Sequence, residues 1–415
     1  MQADSLPDAM SEQVPAPGTR PDCRITVVDI FRGIALLGMI AVHFIDNISS
    51  APSTSFEFGL RRFSQLFLSD RFHTMFAVLF GTSFAIQLRR AEEQGRPFVA
   101  RYLRRLAALA GFGVIAELVF GFQILFGYAL WGLILIPLRR LPIVAILAIA
   151  LVCGAARPLY QIARAGYYTP GISAQEFVAR DQAAQAAADA RFMQMLLPLR
   201  SPDWRKAFDA RVARMKLYYA TPILPPSDLL YFLLGVIALR LGLYDHPRER
   251  RLLLAGLALF GFVSWAVAMW VYPALGPVQL PPAGTSYAPT LITRWAVRGF
   301  GLIRIQWLTV TYMVTVLLLA ASGSRALHYL RPLAWTGRMA LTNYMLQIAV
   351  MSILFARYAL GLRLPMRFAP GCAIALFAAQ AGLSWWWLRR YKYGPLEWLW
   401  RSITCWKIQP IRGHA

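Results

Sequence analysis

Lysine, acidic side chains and paired cysteines are what this sequence has little of. Four of its 43 basic residues are lysine (Lys206, Lys216, Lys392 and Lys407), the rest arginine, against 20 acidic residues. The four cysteines, Cys23, Cys153, Cys372 and Cys405, lie far apart with no C-x-x-C pair, which argues against a zinc cage, a redox motif or a disulfide framework. No H-E-x-x-H run is present either, and no metal is expected. Charged residues make up 15% of the chain, well short of the roughly 25% of a soluble globular domain. The first 22 residues are polar and proline-rich. They lack the basic start and short apolar core of a cleaved signal peptide, so the first apolar segment is expected to stay as an anchor.

What is abundant is apolar. Hydrophobic residues make up 58% of the 415 and the mean hydropathy is +0.48, more apolar surface than a soluble chain of this length can hide. The net charge of +23 would suggest nucleic acid on a soluble protein. Here the arginines cluster between apolar segments, where they orient helices and meet anionic headgroups, so membrane lipids and not nucleic acid are the expected partners.

Windows of roughly 20 apolar residues, enough to cross about 30 Å of hydrocarbon, fall near 27–46, 72–89, 103–122, 124–138, 141–161, 226–243, 252–272, 304–321, 338–357 and 367–388. The small residues Gly127, Ala129 and Gly132 in the fourth suit close helix packing. The expected fold is all-α: a polytopic helical membrane protein with about ten transmembrane helices. Arginine and lysine clusters at 89–105, 139–140, 244–251, 325–338 and 389–392 alternate with the other loops, which places them and both termini in the cytoplasm. The chain then divides into a disordered cytoplasmic tail (1–23), a five-helix N-terminal half (24–161), a partly helical extracytoplasmic loop (162–223), a C-terminal half (224–407) and a tail (408–415). A second outside segment, 273–290, is rich in proline and glycine and reads as an ordered cap or a mobile flap.

Chemistry concentrates in the first helix, which carries Asp29, Arg32, His43 and Asp46. Asp29 and Arg32 are three apart and can pair at the cytoplasmic boundary, setting the helix register at the least. His43 lies eleven residues beyond Arg32, about 16 Å along the axis, in the outer half. The second helix opens with Asp70 and His73 on that same side, so two histidines and two carboxylates are expected to converge. An imidazole beside a carboxylate can take a proton from a hydroxyl or amine as it attacks an acyl group, and the same residues suit a proton relay. Glu117, in the third helix, needs a partner or a wet cavity, since a central carboxylate costs about 2.5–3.5 kcal/mol on insertion scales. Asn343 and Gln347 are four apart on one face, a pattern that interhelical hydrogen bonding explains equally well. The final run 393–401, with its indole rings and arginine, suits an amphipathic helix at headgroup level.

Four blocks also carry a resemblance. Asp29-x-x-Arg32-Gly33-x-Ala35-Leu36-Leu37-Gly38, Leu79-Phe80-Gly81, Gly337-Arg338-Met339-Ala340-Leu341-Thr342-Asn343-Tyr344 and Gly394-Pro395-Leu396-Glu397-Trp398-Leu399-Trp400-Arg401 look like the YeiB-like bacterial membrane proteins (domain of unknown function 418). That family looks related to the transmembrane acyltransferases, including acyltransferase family 3 and heparan-alpha-glucosaminide N-acetyltransferase. Those enzymes pass an acyl group from cytoplasmic acyl-CoA to an acceptor beyond the membrane. Their first helix carries an arginine, ten residues, then a histidine, as Arg32 and His43 do here. YeiB-like members commonly have asparagine at the histidine position, and usually an aspartate where this chain has Gln123.

The resemblance implies a bacterial inner-membrane acyltransferase using acyl-CoA, acetyl-CoA in the simplest case, as co-substrate. Asp29, Arg32 and Arg338 would belong to the face that receives the CoA phosphates. His43 would be the general base, with Asp46 or Asp70 orienting its ring and Glu117 as a relay; His73, Gln123, Asn343 and Gln347 complete the polar set. A small-molecule, glycan or lipid acceptor fits the wide outer loop. This reading requires a polar path joining Arg32 to His43. The competing class is a proton-coupled transporter, in which Asp29, His43, Asp46 and Glu117 relay protons and the outer segments gate.

Overall fold

The computed structural model describes residues 21–47, 52–122, 124–168, 201–220, 227–274, 307–322 and 329–412, with scattered positions between 176 and 199. The N-terminal tail, much of 169–200 in the loop that begins at 162, the 275–290 segment and Gln123 lie outside the described residues. Among those described the architecture is all-helical.

Helix α1 (Pro21–Asn47) is the central pillar. Around it the N-terminal half lays α2 (Ser55–Phe63), α3 (Arg71–Glu93), α4 (Val99–Ile115), α5 (Ile124–Gly132), α6 (Leu135–Leu138) and α7 (Ile143–Tyr168). The C-terminal half adds α8 (Trp204–Ala220), α9 (Ser227–Arg240), α10 (Arg251–Ala274), α11 (Trp307–Ala321), α12 (Arg331–Arg338), α13 (Ala340–Phe355), α14 (Ala369–Leu388) and α15 (Pro395–Cys405). α1 packs on α3, α12, α13 and α14, so the halves share one core; α3 and α7 both pack on α9, and α4 packs on α5 and α15.

At two of the helix crossings among the described residues that are too close for a side chain, both partners contribute a glycine. A Cβ on Gly33 of α1 would lie 2.0 Å from the Leu333 carbonyl oxygen, and one on Gly337 of α12 would lie 1.8 Å from that of Asp29. Gly81 of α3 and Gly235 of α9 repeat the arrangement, at 1.9 Å from Phe232 O and 2.0 Å from Val78 O. With lipid on the far side there is little hydrophobic drive to bring helices together, and such backbone approach lets dispersion hold them.

Helices α12 and α13 are bent by 85° at the break between them. The free N–H groups at the start of α13 need an acceptor, and Glu397 of α15 supplies it. Its Oε1 accepts from the Leu341 and Thr342 amides at 2.6 and 3.0 Å, and its Oε2 from the Thr342 hydroxyl at 2.6 Å. Two of the sequence blocks, 337–344 and 394–401, are therefore parts of one joint.

The arginine-bearing loops meet at one end of the molecule. Arg89 pairs with Asp245 at 2.7 Å, Arg240 donates to the carbonyls of Arg139 and Leu141, and Arg248 donates to Ala321 O. Arg104 donates to Thr404 O, and Arg338 reaches Lys392 O. At the opposite end, Glu57 joins Ser53 to the Arg367 amide.

Among the described residues two helices are long and apolar enough to cross a membrane, Val27–Asn47 and Met366–Leu388, and the bent pair makes a third if counted as one broken span. Ile143–Ala156, Arg251–Val267 and Trp307–Ala321 are apolar but shorter. Of the other expected windows, 72–89 falls within the continuous 23-residue α3, whereas 124–138 divides into α5 and α6 and 226–243 corresponds to the 14-residue α9. Fourteen residues rise about 21 Å, short of a full hydrocarbon core. On α7 and α10, Val144, Leu151, Leu252, Leu259 and Trp270 stand exposed, an apolar surface of the kind that lipid covers.

Candidate functional site

The inner end of α1 is polar and basic. Asp29 is buried and accepts from Arg32 at 2.8 Å; the other Arg32 nitrogen donates to Ser83 of α3 at 3.0 Å. The charge of Arg338 also reaches Asp29, because the Gly33–Gly337 crossing brings the start of α13 beside it. Nearby, Arg105 lies over the Trp400 ring, 3.8 Å from its centroid. Arg32, Arg105 and Arg401 lie within each other's fields. The acids here are Asp29 and Glu397, so the face keeps an excess of positive charge.

At the outer end His43 packs edge-on against Phe122, ring centroids 4.9 Å apart. Its Nε2 is buried and has no hydrogen-bond partner among the described residues. Asp46 points away, exposed on the last turn of α1, within the fields of Arg61 and Asp70. Asp70 sits with φ 64° at the turn into α3. Asp46 and Asp70 thus approach each other, while among the described residues no hydrogen bond joins the His43 Nε2 to either carboxylate. His73 turns to Asp228 of α9, 3.7 Å from Nε2 to Oδ1, and its carbonyl accepts from Tyr128 at 2.9 Å.

Two π turns lie at this outer end, Ser64–Leu68 after α2 and Ala116–Phe120 after α4. Widened turns of this kind leave carbonyls unpaired and recur at functional sites. Arginines satisfy both. Arg71, fully buried, donates to the carbonyls of Leu66 and Ser69. From α8, Arg211 donates to Leu118 O and Val119 O at 3.1 and 2.7 Å. Arg214 grips Glu117 Oε1 with Nε at 3.0 Å and a terminal nitrogen at 2.7 Å. Glu117 is thus paired, yet its Oε2 is buried with no partner among the described residues, as is the Tyr344 hydroxyl on α13.

Asn343 and Gln347 face α14. Asn343 Nδ2 donates to Ser384 at 2.9 Å, Gln347 Nε2 to Gln380 Oε1 at 2.8 Å, and Gln380 in turn to Asn343 O at 2.9 Å. These are interhelical bonds, though the two side-chain oxygens, Asn343 Oδ1 and Gln347 Oε1, have no partner among the described residues.

The polar path from Arg32 to His43 is closed. On the face of α1 between them stand Leu36 and Met39, buried in an apolar cluster with Phe72, Phe112, Tyr344 and Ile348. Heptad-like spacing explains it: positions 32, 36, 39 and 43 lie on one stripe, and the middle two are apolar.

Arg211, Arg214, Asp228 and Tyr344 are functional candidates that sequence reasoning missed. Arg211 and Arg214 are three apart in an outer helix, a visible stripe of charge, but nothing in the sequence names the groups they meet.

This build, helices with lipid-facing apolar sides around buried ionisable groups, is that of a helical membrane protein. Residues 238–407 match the family described as "Protein of unknown function (DUF418)". Residues 24–181 match the family described as "Heparan-alpha-glucosaminide N-acetyltransferase, catalytic". The chain is 29% identical to the uncharacterised protein YxaH of Bacillus subtilis (strain 168), over 94% of this chain and 96% of the relative. It is 28% identical, with the same coverage, to an uncharacterised 39.9 kDa protein of Bacillus acidopullulyticus. Over 72 residues, 17% of this chain and 19% of the relative, it is 39% identical to the uncharacterised protein YeiB of Escherichia coli (strain K12). No solved structure matches it. These matches make the chain similar to the YeiB-like DUF418 proteins and, over residues 24–181, to the heparan-alpha-glucosaminide N-acetyltransferase type.

Proposed function

We propose that the protein is an integral membrane acyltransferase that takes an acyl group, acetyl in the simplest case, from cytoplasmic acyl-CoA and delivers it to an acceptor on the other side of a bacterial inner membrane. One observation carries the reading: the match to an acetyltransferase catalytic domain spans the helix that bears Arg32 and His43, and on that helix the His43 Nε2 is buried with no partner. An imidazole nitrogen so placed can accept a proton from an incoming nucleophile. In the step envisaged, the acceptor's O–H or N–H gives its proton to Nε2, the freed lone pair bonds the thioester carbonyl carbon, the C–S bond breaks, and the thiolate takes the proton back.

The inner basic face suits the donor. Arg32, Arg105, Arg338 and Arg401 outweigh Asp29 and Glu397 there, and guanidinium groups match phosphate oxygens in charge and geometry. Meeting of the basic loops at one end supports a cytoplasmic placement of that end, with both termini inside, by the positive-inside bias. Because Leu36 and Met39 lie between the two ends, turnover requires that cluster to part and admit the slender pantetheine arm.

The deciding test is transfer from radiolabelled acetyl-CoA by purified protein in liposomes, with bacterial envelope extracts as acceptors. Label on an extract with wild type and none with His43→Ala is the expected result. No label with any extract, alongside proton-coupled flux of a small solute, would falsify the reading in favour of a transporter.

A further inference from the structure

The outer helix α8 does more than cover the molecule. Arg211, buried to 4% exposure, supplies the N–H groups that the carbonyls of the α4 π turn lack. Its other terminal nitrogen donates to the Tyr358 hydroxyl at 2.6 Å, which is itself 2.8 Å from Ser352 Oγ on α13. α8 is therefore tied both to the end of α4 and to the end of α13, and that fixes where Arg214 stands. Arg214 spends two donors on a single carboxylate oxygen, Glu117 Oε1, and one of the same nitrogens on Gly121 O at 2.9 Å. Gly121, at φ 87°, is the residue that turns the chain out of the helix, so the arginine grips side chain and backbone together.

The consequence is an asymmetric carboxylate. Oε1 is saturated, whereas Oε2 is buried and accepts nothing among the described residues. Besides α8, α13 packs against this π turn. It brings the Tyr344 hydroxyl, also buried and unpaired, into the field of Glu117. His43, with its own unpaired nitrogen, packs on Phe122, the residue after Gly121. Three unpaired polar atoms from α1, α4 and α13 thus border one region. Buried acceptors left without donors are costly and in native proteins mark a position that something else fills.

We propose that Arg214 is the positioning residue of Glu117, and that it turns Oε2 toward the site to accept an O–H or N–H of the ligand that enters from the outer side. The identity of that ligand as an acyl acceptor rests on the acyl-transfer reading; the assignment of Arg214 and Glu117 does not.

The test needs no substrate. Dicyclohexylcarbodiimide, a hydrophobic reagent, modifies carboxyl groups that carry a proton, and mass spectrometry locates the adduct. In the reconstituted full-length protein Glu117, gripped by Arg214, is expected to resist labelling. In Arg214→Ala the carboxyl loses that partner, and labelling at Glu117 is expected to rise at least about tenfold. Arg214→Lys, which restores the charge, should return it toward the wild-type level, and Tyr344→Phe should leave it there. Should Arg214→Ala fail to fold, Arg214→Gln keeps a donor for Gly121 O without the charge and gives the same readout. Equal labelling of Glu117 in wild type and the charge-removing variant overturns the proposal. In the acetyl-transfer assay Arg214→Lys should retain transfer that Arg214→Ala loses. The expected labelling pattern without transfer by wild type overturns the acyl-transfer reading alone and leaves the Arg214 assignment standing.

Discussion

At the scale of single residues, the functional burden falls on groups whose partners are incomplete. His43 has a buried nitrogen with no partner among the described residues, and on the acyl-transfer reading its replacement by asparagine is expected to remove transfer while leaving the fold intact. Circular dichroism and transfer measured on the same preparation check this. The glycines at helix crossings are the structural counterpart. At Gly337 a methyl group would sit 1.8 Å from the Asp29 carbonyl oxygen, a backbone atom that cannot rotate away. Gly337→Ala should destabilise the protein by at least about 1–3 kcal/mol, visible as a lower thermal midpoint in detergent. It should also disturb the Asp29–Arg32 pair, because the two helices part there. Asp29 and Arg32 themselves were legible from their spacing alone. The isolation of His43 from Asp46 was not, since it depends on which side of the last turn is covered.

At the scale of elements, two joints decide how the helices are held. The first is the Glu397 cap on α13. Burial pushes its carboxyl above the ordinary range, against the hydrogen bonds it accepts from Thr342 and Leu341. Glu397→Ala leaves two amides and a hydroxyl without an acceptor, and a loss of about 1–3 kcal/mol is expected for the orphaned groups. Faster hydrogen exchange at Leu341 and Thr342 would locate the loss. The second joint is Glu57, which ties the start of α2 to the 3-10 turn before α14. Hydrogen bonds from Ser53, then Arg367 and Thr54, hold its carboxyl below the ordinary value of 4.5. A group whose folded value is depressed contributes stability above its unfolded value and loses it as pH falls through the folded one. Protection of the Ser53 and Arg367 amides, measured relative to the intrinsic exchange rate at each pH, should therefore be full near neutrality and fall as pH drops below about 4.5, with a Glu57→Gln variant showing no such step. Neither joint was visible in the sequence, where Glu57 and Glu397 read as an unremarked acid and part of an amphipathic helix.

At the scale of the whole molecule, the basic loops collect at one end and the π turns, α8 and His43 at the other, so a cysteine placed at Arg139 or Lys392 should be shielded from an impermeant thiol reagent in intact cells, and one at Arg205 of α8 labelled; the reverse pattern would overturn the orientation. Composition and charge pattern by themselves determined a great deal: the all-helical class, the membrane character, the grouping of arginine loops and the Asp29–Arg32 pair. These follow from local chemistry, since apolar length, loop charge and i,i+3 spacing act without reference to distant parts of the chain. What only the tertiary structure decided are the partners that come from far away in sequence. Arg214 meets Glu117, Asp228 meets His73, Glu397 meets Thr342, and Phe72, Phe112 and Ile348 cover Leu36 and Met39. Each is settled by which helix faces which, and that choice depends on backbone approach at paired glycines and on unsatisfied carbonyls at π turns. Those are properties of packed helices, and a one-dimensional pattern carries no measure of them.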